Sequence, residues 1–297
     1  MRICKGGDTI TIKSGFVAVT GLPNAGKSTL INALMGERLL ITSEKSQTTR
    51  RQVRCILTND DFQMIFVDTP GLHQPKNKLG DFMLREILTS VANSDVILYI
   101  LDASRPKLEL ANVCTQGKPV ILILNKIDLL TPEQADALSE SFQSDERFTQ
   151  VIGVSALSRK NLGNVLEAIK DYLPGSELLY PPDQLMDCDY RLLASELIRE
   201  QALLHLEDEV PHGIAVEIVD FTETEDQATI AANIIVERES HKGIVIGRGG
   251  GMLKVIGTGA RLELQTLLDK TVHLKLWVKV KKNWRKDRNQ LKWLGYK

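Results

Sequence analysis

The residues with the clearest chemical purpose stand near the start of the chain. Gly21-Leu22-Pro23-Asn24-Ala25-Gly26-Lys27-Ser28 places two glycines around four residues and follows them with a lysine and a hydroxyl. The glycines let backbone N–H groups turn inward around phosphate oxygens, and a helix beginning there adds a favourable partial charge. Lys27 is expected to bridge the β- and γ-phosphates, with Ser28 on Mg²⁺ and Thr29 beside them. Asp68-Thr69-Pro70-Gly71 follows the apolar run Phe62 to Val67, at the carboxyl end of a strand, where ligand-binding groups of an open α/β sheet collect. Asp68 would hold Mg²⁺ through water, and the Gly71 N–H would reach the γ-phosphate. The polar stretch with Thr48-Thr49-Arg50 offers a hydroxyl to complete the Mg²⁺ ligands, and Thr49 is preferred to Thr48.

The base is chosen by Asn125-Lys126-Ile127-Asp128, after the run Val120 to Leu124. A carboxylate at Asp128 matches the adjacent N1–H and N2–H₂ donors of guanine and meets an acceptor in adenine, so it selects strongly and disfavours an ATPase. Ser155-Ala156-Leu157 follows another strand and would hold the guanine O6 through a backbone N–H. Leu72, just after Gly71, has no group to polarise water, so that task falls elsewhere. Lys27, Thr49, Gly71 and Asn24 are the candidate catalytic residues. Asn24 is readable as simple turn chemistry or, because it resembles the asparagine that related GTPases carry in this loop, as a ligand for a potassium ion beside the phosphates.

These motifs need a scaffold. Short apolar runs (Phe16 to Thr20, Phe62 to Val67, Val96 to Asp102, Val120 to Leu124, Val151 to Val154) alternate with helical or loop segments, the pattern of a mostly parallel sheet with crossover helices. An amphipathic helix, Leu162 to Leu173, ends at Pro174-Gly175. The reading is therefore an α/β nucleotide domain over 1–176, a linker over 177–189 with Pro181-Pro182 inside it, and a second domain over 190–297. The second domain reads as helix–strand–strand–helix–helix–strand, an α+β unit. The segment Ala103 to Lys118, between the third and fourth motifs, is shorter than the helix found there in the family that these motifs resemble.

A length of 297 residues allows about two domains. The net charge of −1 conceals an acidic stretch, Glu217 to Asp226, and a basic end to the chain, an asymmetry that points to a polyanion. Gly247-Arg248-Gly249-Gly250 is a G-x-x-G loop that allows close approach to a nucleic-acid backbone, and Lys254 follows it. In the strand after it Leu274, Leu276, Val278 and Val280 share one face. His273, Lys275, Trp277, Lys279 and Lys281 share the other, an aromatic among lysines that suits RNA. Trp277 is equally readable as covered by the C-terminal segment. Lys282, Arg285, Lys286, Arg288 and Lys292 extend the basic character. Cys4, Cys55, Cys114 and Cys188 are scattered, giving no zinc or disulfide pattern, and a reduced cytoplasmic setting is expected. No apolar run reaches the ~20 residues that span a bilayer, and Met1 to Asp8 lacks a signal-peptide core.

Together these motifs resemble the Era family of GTPases over nearly the whole chain. The carriers are Gly21 to Ser28, Gln47 to Arg50, Asp68 to Gly71, Asn125 to Asp128 and Ser155 to Leu157. In the second domain they are Tyr190 to Arg199, Gly243 to Gly250 and Leu276 to Lys282. The resemblance implies a P-loop GTPase domain joined to a type II KH domain, with GTP/GDP and Mg²⁺ bound and K⁺ an option. It implies slow GTP hydrolysis coupled to rRNA binding, and a role in 30S subunit assembly near the 3′ end of 16S rRNA. Monomeric state, no DNA partner, and at most weak peripheral contact with the inner face of the membrane go with it. The competing reading is an RNA-binding scaffold in which GTP is a structural ligand.

Overall fold

The computed structural model describes residues 12–296 apart from 44, 46–47, 110–114 and 116. The Met1 to Asp8 reading, Cys4, Cys114, Gln47 and the middle of the short Ala103–Lys118 segment lie outside the described residues. The chain divides into two compact units. The first takes 1–40, 49–73 and 84–187; the second takes 188–297 and also Ile41–Thr48 and Gln74–Met83.

In the first unit the apolar runs become β1 (Ile12–Gly21), β3 (Phe62–Asp68), β4 (Val96–Asp102), β5 (Val120–Asn125) and β6 (Gln150–Gly153). β2 (Val53–Thr58) is antiparallel to β3, while β3, β1, β4, β5 and β6 run parallel in the order β6-β5-β4-β1-β3. These runs are apolar throughout because both faces are covered. Val17, Val19, Leu98, Ile100, Ile121 and Ile123 pack with α1 (Lys27–Met35) and α4 (Leu162–Tyr172). Their alternates Ala18, Ile97, Tyr99, Leu122 and Leu124 pack with Ile87 and Val91 of α2 (Lys78–Ala92) and with α3 (Pro132–Gln143).

The expected linker is not a free tether. The Gln63 side chain accepts from the N–H groups of Leu179 and Tyr180 at 2.7 and 2.9 Å and donates to the Tyr180 carbonyl. A two-residue strand, Met186–Asp187, then adds antiparallel to β2. Most of 177–189 thus belongs to the first unit, because the sheet edge needs partners for its polar groups. β7 (Gly175–Ser176) and β8 (Met186–Asp187) bound this stretch.

The second unit contains α5 (Tyr190–His205), β9 (Ala215–Glu223), β10 (Gln227–Val236), α6 (Glu239–Ile246), α7 (Gly251–Leu268), β11 (Thr271–Val280) and α8 (Arg288–Trp293). The first six elements follow the order read from the sequence. β10 is central, antiparallel to β9 and parallel to β11. One sheet face (Val216, Ala232, Ile234, Val236, Val278) is covered by Ile198, Ala202, Val245, Ile256 and Ala260 of the helices. Ala215 and Ile235 on the other face meet Trp284, Leu291, Leu294 and Tyr296, together with Leu79, Phe82 and Met83. The basic tail is therefore anchored: Trp284 is fully buried, its indole N–H donates to the Gly213 carbonyl at 2.9 Å, and its ring stacks on Tyr296.

Candidate nucleotide and RNA sites

The sequence motifs of the first unit meet at the carboxyl ends of its parallel strands. β1 ends at Gly21, and the loop that follows turns into α1 through residues held at positive φ, Asn24 at 63° and Gly26 at 92°. Gly71 passes so close to this loop that a Cβ there would stand 2.8 Å from the Pro23 Cα and N. A glycine is required by that approach.

Asp68, at the end of β3, is buried, and its Oδ2 accepts from the Ser28 hydroxyl at 2.8 Å and from the Thr49 hydroxyl at 2.9 Å. The two hydroxyls lie 3.2 Å apart. The buried Oδ1 has no hydrogen-bond partner. Three oxygen ligands with an unused carboxylate oxygen form a hard donor set that fits Mg²⁺. Burial raises the Asp68 carboxyl above the usual range despite the nearby Lys27 ammonium and the two hydroxyls. The Lys27 ammonium is buried as well, and burial lowers it to about 8 against the pull of Asp68. It donates to the carbonyls of Leu22 and Gly21 at 2.9 and 3.3 Å. Each ion is thus pushed toward its neutral form, and a metal beside one and phosphates beside the other relieve both.

Thr49 and Thr48 part company. The Thr48 hydroxyl turns back into its own loop, donating to the Lys45 carbonyl at 2.7 Å, so only Thr49 joins Ser28 and Asp68. Thr69 also serves the scaffold, its hydroxyl donating to the Val19 carbonyl at 2.8 Å. The Leu72 side chain is in the core, and its N–H donates to the Gly21 carbonyl at 2.9 Å.

The Asn125 side chain, read as a nucleotide contact, is a brace. Its Nδ2 donates to the Ala25 carbonyl at 2.9 Å and its Oδ1 accepts from the Ala156 N–H at 3.1 Å. It ties the phosphate loop to the Ser155–Leu157 motif. Lys126, at φ 69°, lies over that loop, donating to the Asn24 carbonyl at 2.8 Å and to Asp102 at 2.6 Å. Asp102 belongs to none of the sequence motifs, although its place at the end of β4 is the signal that could have found it. Burial opposes its charge, but hydrogen bonds from Lys126 and Ser104 hold its carboxyl below the usual range. Asp128 follows in a single helical turn, Ile127–Leu129, and is exposed at the strand ends. Ser155 is buried and accepts from the Ser158 N–H at 3.0 Å, whereas the Leu157 side chain is 82% exposed.

In the second unit Gly247-Arg248-Gly249-Gly250 links α6 to α7. Gly247 has φ 72°, and a Cβ there would stand 2.7 Å from Met252 N and Cβ, so the loop turns sharply onto α7. Arg248, Lys254, Lys275, Trp277 and Lys279 are exposed. They do not form one surface. Leu276 and Val278 point to the helices, and Gly257 of α7 is so close that a Cβ would meet Leu276 at 3.3 Å. Lys275, Trp277 and Lys279 therefore project from the sheet face opposite the helices that carry the loop. Trp277 is 50% exposed, so the tail does not cover it. Lys281 leaves this group: past the end of β11, its ammonium sits over the Trp293 ring, 2.8 Å from the centroid.

Residues 16–126 match the family model described as 50S ribosome-binding GTPase, and residues 209–285 match the KH domain model. The chain is 44% identical to GTPase Era of Ruminiclostridium cellulolyticum over 97% of its length and 99% of the relative's. It is 42% identical to GTPase Era of Alkaliphilus oremlandii over 97% and 100%. A crystal structure of Era with MgGDPNP and nucleotides 1506–1542 of 16S ribosomal RNA superposes with a TM-score of 0.91. It is 38% identical, over 96% of this chain and 99% of that one. A crystal structure of an Aquifex aeolicus Era variant bound to GDP.AlF4⁻ gives the same TM-score, identity and coverage. At 44% identity to a GTPase Era over 97% of its length, and with its phosphate loop, Asn125–Asp128 motif and G-x-x-G loop in the order that the sequence set out, the chain belongs to the Era family of GTPases.

Proposed function

We propose that this GTPase binds GTP with Mg²⁺ through Ser28, Thr49 and Asp68, hydrolyses it slowly, and uses its nucleotide state to govern binding near the 3′ end of 16S rRNA during small-subunit assembly. The observation that carries the nucleotide half is the Asp68 cluster, two hydroxyls on one buried carboxylate whose second oxygen is unused. Mg²⁺ there would neutralise charge on the phosphates. The residues of this chain do the rest. Lys27 offsets charge on the β- and γ-phosphates, Gly71 brings its backbone to the γ-phosphate, and Asp128 pairs with the guanine donors. The packing of Leu72 into the core supports a slow intrinsic rate, because no side chain at that position orients water. Asn24, exposed on the phosphate loop, is the proposed K⁺ ligand.

The RNA half rests on the exposed Gly247–Gly250 loop between two helices and on the RNA held by the Era structure above. The partner is accordingly the 16S rRNA 3′ region within the 30S subunit, in the cytoplasm, with the chain acting as a monomer. No helix of the described residues is long and apolar enough to cross a membrane. The test is multiple-turnover phosphate release, with and without an RNA of nucleotides 1506–1542 of 16S rRNA. Turnover that responds to the RNA is expected. Tight GTP binding with no turnover in either condition would make GTP a structural ligand of an RNA-binding scaffold.

A further inference from the structure

Within the first unit the phosphate loop is held from two sides. On one side Asn125 ties it to the Ser155–Leu157 motif. On the other stands Asp102, at the end of β4 and in register with Asn125 of β5. The Oδ2 of Asp102 accepts from the Lys126 ammonium at 2.6 Å, and the same ammonium donates to the Asn24 carbonyl at 2.8 Å. The Oδ1 accepts from both the N–H and the hydroxyl of Ser104, at 3.0 and 2.6 Å. Both oxygens are thus engaged, and the carboxylate is fixed by its own turn, in which the Arg105 N–H donates to the Asp102 carbonyl at 3.1 Å.

The backbone of Lys126 gives this anchor a consequence. Its φ of 69° is a left-handed conformation, which a residue with a Cβ keeps only where its surroundings fix it. The single turn Ile127–Leu129, which carries Asp128, begins immediately after it. The direction of the Asp128 carboxylate therefore follows from how Lys126 is held. The side chains of Asp102 and Lys126 are 21% and 33% exposed, and an ion pair so open to solvent adds little to folding stability. Its effect is on geometry. We propose that Asp102 is a positioning residue for guanine nucleotides: by holding Lys126 against the phosphate loop it fixes the turn that presents Asp128 to the base. The base end of the site is thereby locked to the phosphate end by a residue outside every nucleotide motif. The inference rests on the assignment of Asp128 to the base. Lys27, Thr49 and Asp68 keep bonds of their own, so retention of nucleotide should change and the chemical step should not.

The test uses the full chain loaded with fluorescently labelled GDP, displaced by excess unlabelled GDP. Dissociation from Asp102→Ala should be about ten-fold faster than from the parent, because changes in affinity appear mainly in the dissociation rate. KM for GTP should rise while single-turnover hydrolysis at saturating GTP stays within about two-fold, the split that follows from losing binding equally in ground and transition states. Asp102→Asn keeps one oxygen acceptor and should lie between the two. Lys126→Met removes the ammonium and keeps the stem; adding Asp102→Ala to it should cause no further loss, since an effect relayed through one partner is not additive. Ser104→Ala removes an exposed hydroxyl from Oδ1, should speed dissociation by about two- to three-fold, and serves if Asp102→Ala fails to fold. Parent-like dissociation in Asp102→Ala, or in Ser104→Ala where the former does not fold, would overturn the proposal. Losses that add in the double variant would overturn it as well. Equal displacement of the label from the parent by ADP and by GDP would instead overturn the assignment of the base site.

Discussion

The two candidate anion sites of this protein, one in each unit, are built by opposite means. Around the phosphate loop the key polar side chains are buried and already bonded to one another: Lys27 to backbone carbonyls, Asp68 to two hydroxyls, Asn125 to two loops. Around the Gly247–Gly250 loop the charged residues Arg248 and Lys254 stand in solvent. A metal and three phosphates are small and fixed in shape, so preorganised, dehydrated groups gain most from them. An RNA backbone is long and variable, and close approach with mobile cations suits it better. Substitutions should therefore act locally and severely at the first site, and in a graded, salt-dependent way at the second.

The largest effect is expected at Asp128. Asp128→Asn replaces a double acceptor by an amide and should weaken GTP on the order of 10³-fold or more while improving xanthosine triphosphate, whose C2 oxygen accepts from the amide. Equal weakening of both in equilibrium binding would remove Asp128 from the base site. Next comes the anchored tail. Trp284→Ala should lower unfolding stability by ~3–5 kcal/mol in denaturant titrations, as for other buried tryptophans. A loss under about 1 kcal/mol, the range of ordinary surface substitutions, would mean that the tail is not an integral part of the second unit.

The loop double variant Arg248→Asp/Gly249→Asp puts two negative charges where phosphate must sit. A Cβ at Gly249 meets nothing within 4 Å, so the change adds charge without a clash, at the cost of some backbone strain from its φ of 58°. Affinity for single-stranded RNA should fall on the order of 10²-fold with GTP affinity unchanged, a size in line with losing several charge contacts. Parent-like RNA binding would shift the RNA site to the Lys275–Lys279 face. Lys275→Ala and Lys279→Ala sharpen that choice, because each phosphate contact contributes about 0.7 log units of affinity per log unit of salt. A flattened slope places RNA on the sheet face as well as on the loop, and an unchanged slope confines it to the loop. The smallest effect concerns Asn24. Replacing K⁺ by Na⁺ should slow turnover, and Asn24→Ala should erase the difference. Identical rates of the parent in both salts would leave Asn24 as a turn residue.

The same contrast explains what is legible in the sequence. The phosphate loop and Asp68–Gly71 can be placed because backbone geometry and metal ligation fix both residue type and spacing. The parallel sheet can be placed because burial on two faces demands unbroken apolar runs such as Val120 to Leu124. Asn125 is legible as a motif residue but not as a brace, since a brace and a ligand need the same amide at the same spot. Asp102 escapes because its partner, Lys126, is 24 residues away and only the register of β4 beside β5 brings them together. The strand alternation of β11 gives the inward and outward faces. It does not show that the outward face lies away from the glycine loop, because that depends on which sheet face the helices choose. The 177–189 stretch resembles a linker by its prolines, and only the unfilled hydrogen bonds of Gln63 and β2 make it part of the sheet.

The second unit draws on three separated stretches of chain, and its tail closes over Leu79, Phe82 and Met83 with residues from the last 14 positions. Contacts spanning roughly 200 residues close late in folding and slowly, since the intervening chain must be ordered first. During synthesis the first unit's sheet can form once β6 and α4 have emerged, while Ile41–Thr48 and Gln74–Met83 still lack the surfaces that hold them. The newly made protein would then have its phosphate loop before the second unit can close on its earlier stretches.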